Sequence, residues 1–215
     1  MKKKYSYVGI AFIILLFGIY SVPKIAKHFQ KADLFQFEKV PAFEFTNQNG
    51  ETISNESYKG KVYVVEFFFT TCPSICPIMN QKMLTIQNEF FGNPEFGIAS
   101  ISITPEIDTP KVLKEYAKNL GINHQHWHLL TGQSEEVVYA LSNKGFQLYA
   151  GRDEAQGHGG FEHSGLFALI DKNGYIRSRK DEYGNPIKFY RALEEHGFSD
   201  QIQELKEDIK LLLDE

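Results

Sequence analysis

The sequence predicts an α/β domain, a sheet covered by helices with an antiparallel hairpin towards each end. Apolar strand-like runs alternate with segments of helical period through the middle of the chain. One of them, "KVYVVEFFFT", is a continuous stretch of β-branched and aromatic residues, as expected of a central strand covered on both faces. Two Asn-Gly pairs, at 49–50 and 173–174, mark hairpin turns, the first inside a stretch that alternates apolar and polar residues. A length of 215 residues with 42% apolar content suits one substantial core rather than two.

Element by element, the chain opens with "MKKKYSYVGIAFIILLFGIYSVPK", which carries no charged side chain between Lys4 and Lys24. About 19 helical residues at 1.5 Å each span roughly 28 Å, close to the hydrocarbon thickness of a bilayer. The exit lacks an A-x-A-like cleavage site, so an uncleaved anchor is expected rather than a removed signal. This gives a tail over 1–4, a transmembrane helix over 5–23, a tether over 24–36 and the domain over 37–215. Lys2, Lys3 and Lys4 face Lys24, Lys27 and Lys31 across the span, and the terminal amine tips the orientation to N-terminus inside. The expected location is therefore the bacterial inner membrane, single-pass, with a cytoplasmic tail and the C-terminal domain on the periplasmic side.

Beyond the tether, "VPAFEFTNQNGETIS" forms the first hairpin and "KVYVVEFFFT" the central strand. A cysteine loop and a helix from Pro77 follow. "FGIASISIT" is a second strand, and "DTPKVLKEYAKNLG" a helix capped by Asp108 or Thr109, with Pro110 at its first position and a stop at Gly121. "HWHLLTG" gives a third strand, and Ser134 caps "SEEVVYALSNKG", a helix expected to stop at its glycine. A glycine-rich loop leads to the second hairpin, "LFALID" and "YIRSR", and the chain closes on an amphipathic helix. A strand, a cysteine pair at a helix start and a later hairpin is the order of a thioredoxin-like fold.

Net charge is -4 and no long Lys/Arg run follows the first residues, which excludes nucleic acid as an expected partner. Two cysteines cannot make a disulfide scaffold or a four-thiolate zinc site. Cys72 and Cys76 instead stand four apart in "FFFTTCPSICPIMN", near enough to form a disulfide or to share one metal ion. Amide groups of the helix N-terminus lower thiol pKa values, and both redox exchange and metal binding use the thiolate. Two thiolates are a soft set suited to Cu(I), and an added imidazole admits Cu(II) or Zn. Candidate imidazoles are His163 in "EHSG", His158 in "QGHGGF", and His124, His126 and His128 of "HQHWH", which in a strand share one face.

"FFFTTCPSICPIMNQKM", "SISITPEIDTPKVLKEYA", "WHLLTG" and "EHSGLFALIDKNG" together resemble the successive signatures of the Sco/SenC family, over roughly residues 38 to 180. The resemblance implies a thioredoxin-like domain tethered by one transmembrane helix outside the cytoplasm. It also implies copper held by Cys72, Cys76 and His163, and a role in assembling the Cu-A centre of cytochrome c oxidase. Two departures stand out: Glu162 precedes the histidine where the family commonly has Asp, and Thr104 takes the Asp position of the family's S-[IV]-D-P-E.

Two functions follow. The first is a copper metallochaperone that delivers Cu(I) or Cu(II) to an oxidase subunit or another cuproprotein. The second is a thiol-disulfide oxidoreductase reducing cysteines of a partner cuproprotein, with Cys72 and Cys76 as the redox pair. A thiol peroxidase ranks behind both, because Thr70, Thr71 and Pro73 do not reproduce the residues expected before a peroxidatic cysteine.

Overall fold

The structure, a computed structural model, describes residues 9–18, 21, 34–152, 160–194 and 197–215. The chain divides after Asp33, and each part is described by itself. In the first, residues 9–18 are helical (α1). Among the described residues no helix is long and apolar enough to cross a membrane. The expected anchor over 5–23 lies partly outside them.

The second part, Leu34–Glu215, is organised around β4 (Val62–Phe68), whose seven residues are all buried. β5 (Phe96–Ser102) pairs with it in parallel, and β6 (Trp127–Thr131) pairs in parallel with β5. Helices α2 (Cys76–Glu89) and α3 (Pro110–Leu120) make the crossovers between these strands. On the other side of β4 runs β9 (Leu166–Ile170), antiparallel, and β9 in turn pairs with β10 (Tyr175–Ser178) across the Asn173-Gly174 turn. β1 (Phe35–Lys39) closes that edge against β10 and begins inside the stretch expected as tether. The first hairpin, β2 (Glu44–Asn47) with β3 (Thr52–Ser54), closes the other edge against β6.

Both hairpins form as their turn residues predict, with Gly50 and Gly174 at φ of 81° and 85°, where a side chain is disfavoured. α3 begins and ends as expected, with Thr109 accepting from the Val112 amide and Gly121 left-handed at its end. The next helix does not. α4 (Glu135–Tyr139), capped by Ser134, passes into a π-helical turn over Ala140–Phe146, and the left-handed residue is Gln147 rather than Gly145. Gly145 answers to packing instead: a Cβ there meets the Pro41 ring at 2.8 Å. After this turn, β7 (Ala150–Arg152) and β8 (Phe161–His163) form a separate two-stranded ribbon, β11 (Tyr190–Arg191) pairs with β9, and α5 (Ile202–Leu213) packs through Ile202, Leu205, Ile209 and Leu212.

Strand direction assembles the site. β9 is antiparallel to β4, with Tyr63 opposite Ile170 and Val65 opposite Ala168, so the entry to β9 lies beside the exit of β4. The cysteine loop leaves β4 at that end, and His163, the last residue of β8, stands three residues before β9 begins there. Residues remote in sequence thus converge at a strand end, where open α/β sheets present their ligands.

Candidate metal centre

Past Phe68 the chain turns through a loop whose first bond is Cys72 N–H to the Phe69 carbonyl, 3.3 Å. Cys76 is the first residue of α2, with Pro77 in the first turn, where its missing amide hydrogen costs nothing. The N-cap residue of α2, Ile75, makes no side-chain capping bond. The Cys72 sulfur takes that place, accepting from the Cys76 amide at 3.4 Å. It also lies 3.7 Å from the Ser74 hydroxyl.

The Cys76 sulfur faces His163 Nε2 at 2.9 Å. On the other side of the ring, Nδ1 lies 3.2 Å from the Ser164 carbonyl oxygen, a pairing that directs the Nδ1 proton outward and leaves Nε2 to the sulfurs. The Phe69 ring stands edge-on to the imidazole, centroids 5.7 Å apart. All three donor residues are buried, with Cys72 the most exposed at 8%.

Donor atoms of Cys72, Cys76 and His163 lie within 4.8 Å of one another, a group that could hold a metal ion. Donors bound at about 2.3 Å to one ion cannot be more than about 4.6 Å apart, so the group fits after a small contraction. It borders a cleft of about 410 Å³ lined by Phe69, Cys72, Ile75, Phe161, His163 and Leu193 among others. Cys76 does not line this cleft.

The thiols are electrostatically unlike. The Cys76 thiol beside it holds Cys72 well below the usual thiol range, against the effect of burial and with help from the Cys76 and Ser74 amides. The same contact, burial and the nearby Glu66 charge push Cys76 far up. Cys72, at the cleft, is thus the more acidic of the two thiols, and Cys76, which does not line it, the less acidic.

Two carboxyls have roles that differ from, or go beyond, what the sequence suggested. Asp108, fully buried, accepts from the Thr70 amide at 3.1 Å, from the Thr70 hydroxyl, from Ser102 Oγ at 2.6 Å and from Thr104 Oγ1 at 3.0 Å. It ties the start of the cysteine loop to the loop after β5, and Thr104 spends its hydroxyl on this clamp. Thr109, not Asp108, caps α3. Glu66, in mid-β4, accepts from Ser100 Oγ at 2.6 Å while its other oxygen has no hydrogen-bond partner. An acid inside "KVYVVEFFFT" was the visible signal; only pairing with β5 reveals that it points into the core.

The other histidines do not join the group. His124 uses both ring nitrogens, Nε2 donating to the Phe90 carbonyl at 3.2 Å and Nδ1 accepting from the His126 amide at 3.2 Å. His128 lies 3.3 Å from the Asn47 side-chain amide, and burial pushes its pKa down to about 4. Only His128 of the three lies within the strand, so the expected ladder does not form. His158, with most of its glycine-rich loop, lies outside the described residues. Glu162 is exposed and pairs with Gly151 across the ribbon.

A family model described as SCO1/SenC matches residues 31–196. The SCO1 protein homolog of Bacillus subtilis (strain 168) is 32% identical over 178 residues, 82% of this chain and 86% of that one. The solved structure of BsSco, a Sco-family cytochrome c oxidase assembly protein with an identified disulfide switch, matches with a TM-score of 0.67 at 28% identity, covering 84% of this chain and 96% of that one. ScoI of Bradyrhizobium japonicum with copper bound matches with a TM-score of 0.58 at 23% identity over 82% of this chain and 100% of that one, a likeness of fold. On a family match running from before β1 to beyond β11, the chain belongs to the SCO1/SenC family.

Proposed function

We propose that this chain is a membrane-anchored copper metallochaperone, with Cys72, Cys76 and His163 as ligands and the Cu-A centre of cytochrome c oxidase as the destination of its cargo. The observation that carries it is the meeting of two sulfurs and one imidazole nitrogen within 4.8 Å from chain segments about ninety residues apart. A soft pair of sulfurs with one imidazole suits copper in both common oxidation states. Copper is bound in the Bradyrhizobium relative, and oxidase assembly is the role of BsSco. Phe69 packs on the imidazole and the cleft leaves one side of the group open to a partner. Residues 5–23 serve as the anchor in the bacterial inner membrane, with the domain on the periplasmic side; the apolar run between Lys4 and Lys24 supports this.

The test is copper titration of the reduced protein. Wild type binds one ion tightly, Cys72→Ser/Cys76→Ser binds none tightly, and His163→Ala loses affinity and changes the thiolate-to-Cu(II) charge-transfer spectrum. Equal affinity in wild type and the double-serine variant removes the proposal.

The unequal thiols favour a second activity, reduction of a disulfide in a partner cuproprotein. The Cys72 thiolate attacks one sulfur of the partner disulfide, forming a mixed disulfide and releasing one partner thiolate. Cys76 passes its proton to the partner thiolate already released, attacks Cys72 Sγ and expels the second partner thiolate. The chain is left with a Cys72–Cys76 disulfide, and two electrons have moved to the partner. Closing that disulfide removes both sulfur ligands, so copper binding and exchange are alternative states of one pair.

A further inference from the structure

His163 is held by an element that is not part of the main sheet. The β7–β8 ribbon pairs Ala150 with His163, Gly151 with Glu162 and Arg152 with Phe161. The Ser164 amide donates to the Tyr149 carbonyl at 3.0 Å, so the next pair along is hydrogen-bonded. Pairs alternate in an antiparallel ladder, which makes Ala150–His163 a non-hydrogen-bonded pair, with the Ala150 N–H and C=O turned away from β8. Both groups meet one side chain. Asn143 Oδ1 accepts from the Ala150 amide at 2.9 Å, and Asn143 Nδ2 donates to the Ala150 carbonyl at 2.7 Å.

A primary amide that satisfies one residue's donor and acceptor together acts as a third strand one residue long. The π-helical turn over Ala140–Phe146 presents it. Further bonds lock the turn to the start of the ribbon: Leu148 N–H donates to the Ser142 carbonyl at 3.0 Å, and the Ser142 hydroxyl donates to the Leu148 carbonyl. π-Turns recur at functional sites, and here the widened turn replaces the stop expected at Gly145.

We propose that Asn143 is a positioning residue for the His163 imidazole, fixing the ribbon at Ala150, directly opposite the histidine. The inference rests on the copper reading of the site. Outer partners of metal-ligating histidines typically change affinity by 10 to 100-fold, and Asn143 acts one step further out, through backbone, so a loss of about tenfold is expected. Because Asn143 is itself exposed, removing its side chain leaves no core cavity.

The experiment measures Cu(I) affinity of the full-length reduced chain by chelator competition, for Asn143→Ala alone and in a His163→Ala background. About tenfold weaker binding in the single variant and no further loss in the double variant support the proposal, because a general structural defect weakens both backgrounds alike. Unchanged affinity, or equal losses in the two backgrounds, overturns it. Asn143→Asp keeps the acceptor but sets a carboxylate against the Ala150 carbonyl; it gives the same result and serves if Asn143→Ala does not fold. Should wild type bind no copper, the metal reading fails separately. Contact between the His163 ring and Cys76, read by NMR in the metal-free protein, then decides: loss in Asn143→Asp supports the positioning role and retention overturns it.

Discussion

Replacing Glu66 by glutamine isolates the energetic consequence of a carboxyl group buried beside the cysteine pair. Burial lifts its pKa from 4.5 to about 7, partly offset by the hydrogen bond from Ser100. The folded state thus holds this proton more tightly than the unfolded chain. Below pH about 4.5 both states are protonated and stability is at its full value. As pH rises towards about 7 the unfolded chain ionises first and stability falls; above that both are ionised and the loss is complete. Moving a pKa from 4.5 to about 7 corresponds to about 3 kcal/mol. Glu66 is fully buried, so solvent screening does not reduce this figure. Glutamine keeps the shape and cannot ionise. Burial also depresses His124, His126 and His128, which tilts stability the opposite way, but these groups are common to both proteins and cancel in the difference. The assay is denaturant unfolding of the reduced, metal-free protein between pH 4.5 and 8, followed by the fluorescence of Trp127, a buried probe hydrogen-bonded to Ser100 at 2.9 Å. The variant should gain about 3 kcal/mol on wild type across that range. Parallel stability curves for the two proteins refute the account.

Asp108→Ala leaves the Thr70 amide and the hydroxyls of Thr70, Ser102 and Thr104 without their shared acceptor, so about 3–5 kcal/mol of stability is lost and Cys72 reacts faster with an alkylating agent under native conditions. A loss below about 1 kcal/mol with unchanged alkylation contradicts the clamp. His124→Ala should leave copper stoichiometry at the wild-type value while lowering stability by about 1–2 kcal/mol, because its ring serves two hydrogen bonds within the domain; a second copper lost with this residue restores the ladder as a metal site.

Much of the scaffold was legible because it rests on local rules. Asn49-Gly50 and Asn173-Gly174 specify their turns, Thr109 and Pro110 start α3, and the apolar run around Val64 can be satisfied only inside a sheet. The thioredoxin-like α/β fold follows from the order of such elements. Local rules failed at Gly145, where contact with Pro41 from a distant segment explains the small residue and the helix runs on through a π turn.

The sequence by itself determined that two thiols lie within reach of each other at a helix start, since four residues of chain permit little else, and the family motif singled out His163. Only the tertiary structure made the two thiols unequal, because the direction in which each shifts depends on the contact between Cys72 and Cys76 and on burial by other segments. It also decided that His124 is occupied within the core and that Asp108 grips the cysteine loop rather than capping a helix. These outcomes turn on distances between residues far apart in the chain, and spacing along a sequence carries no such distances until the strands have paired.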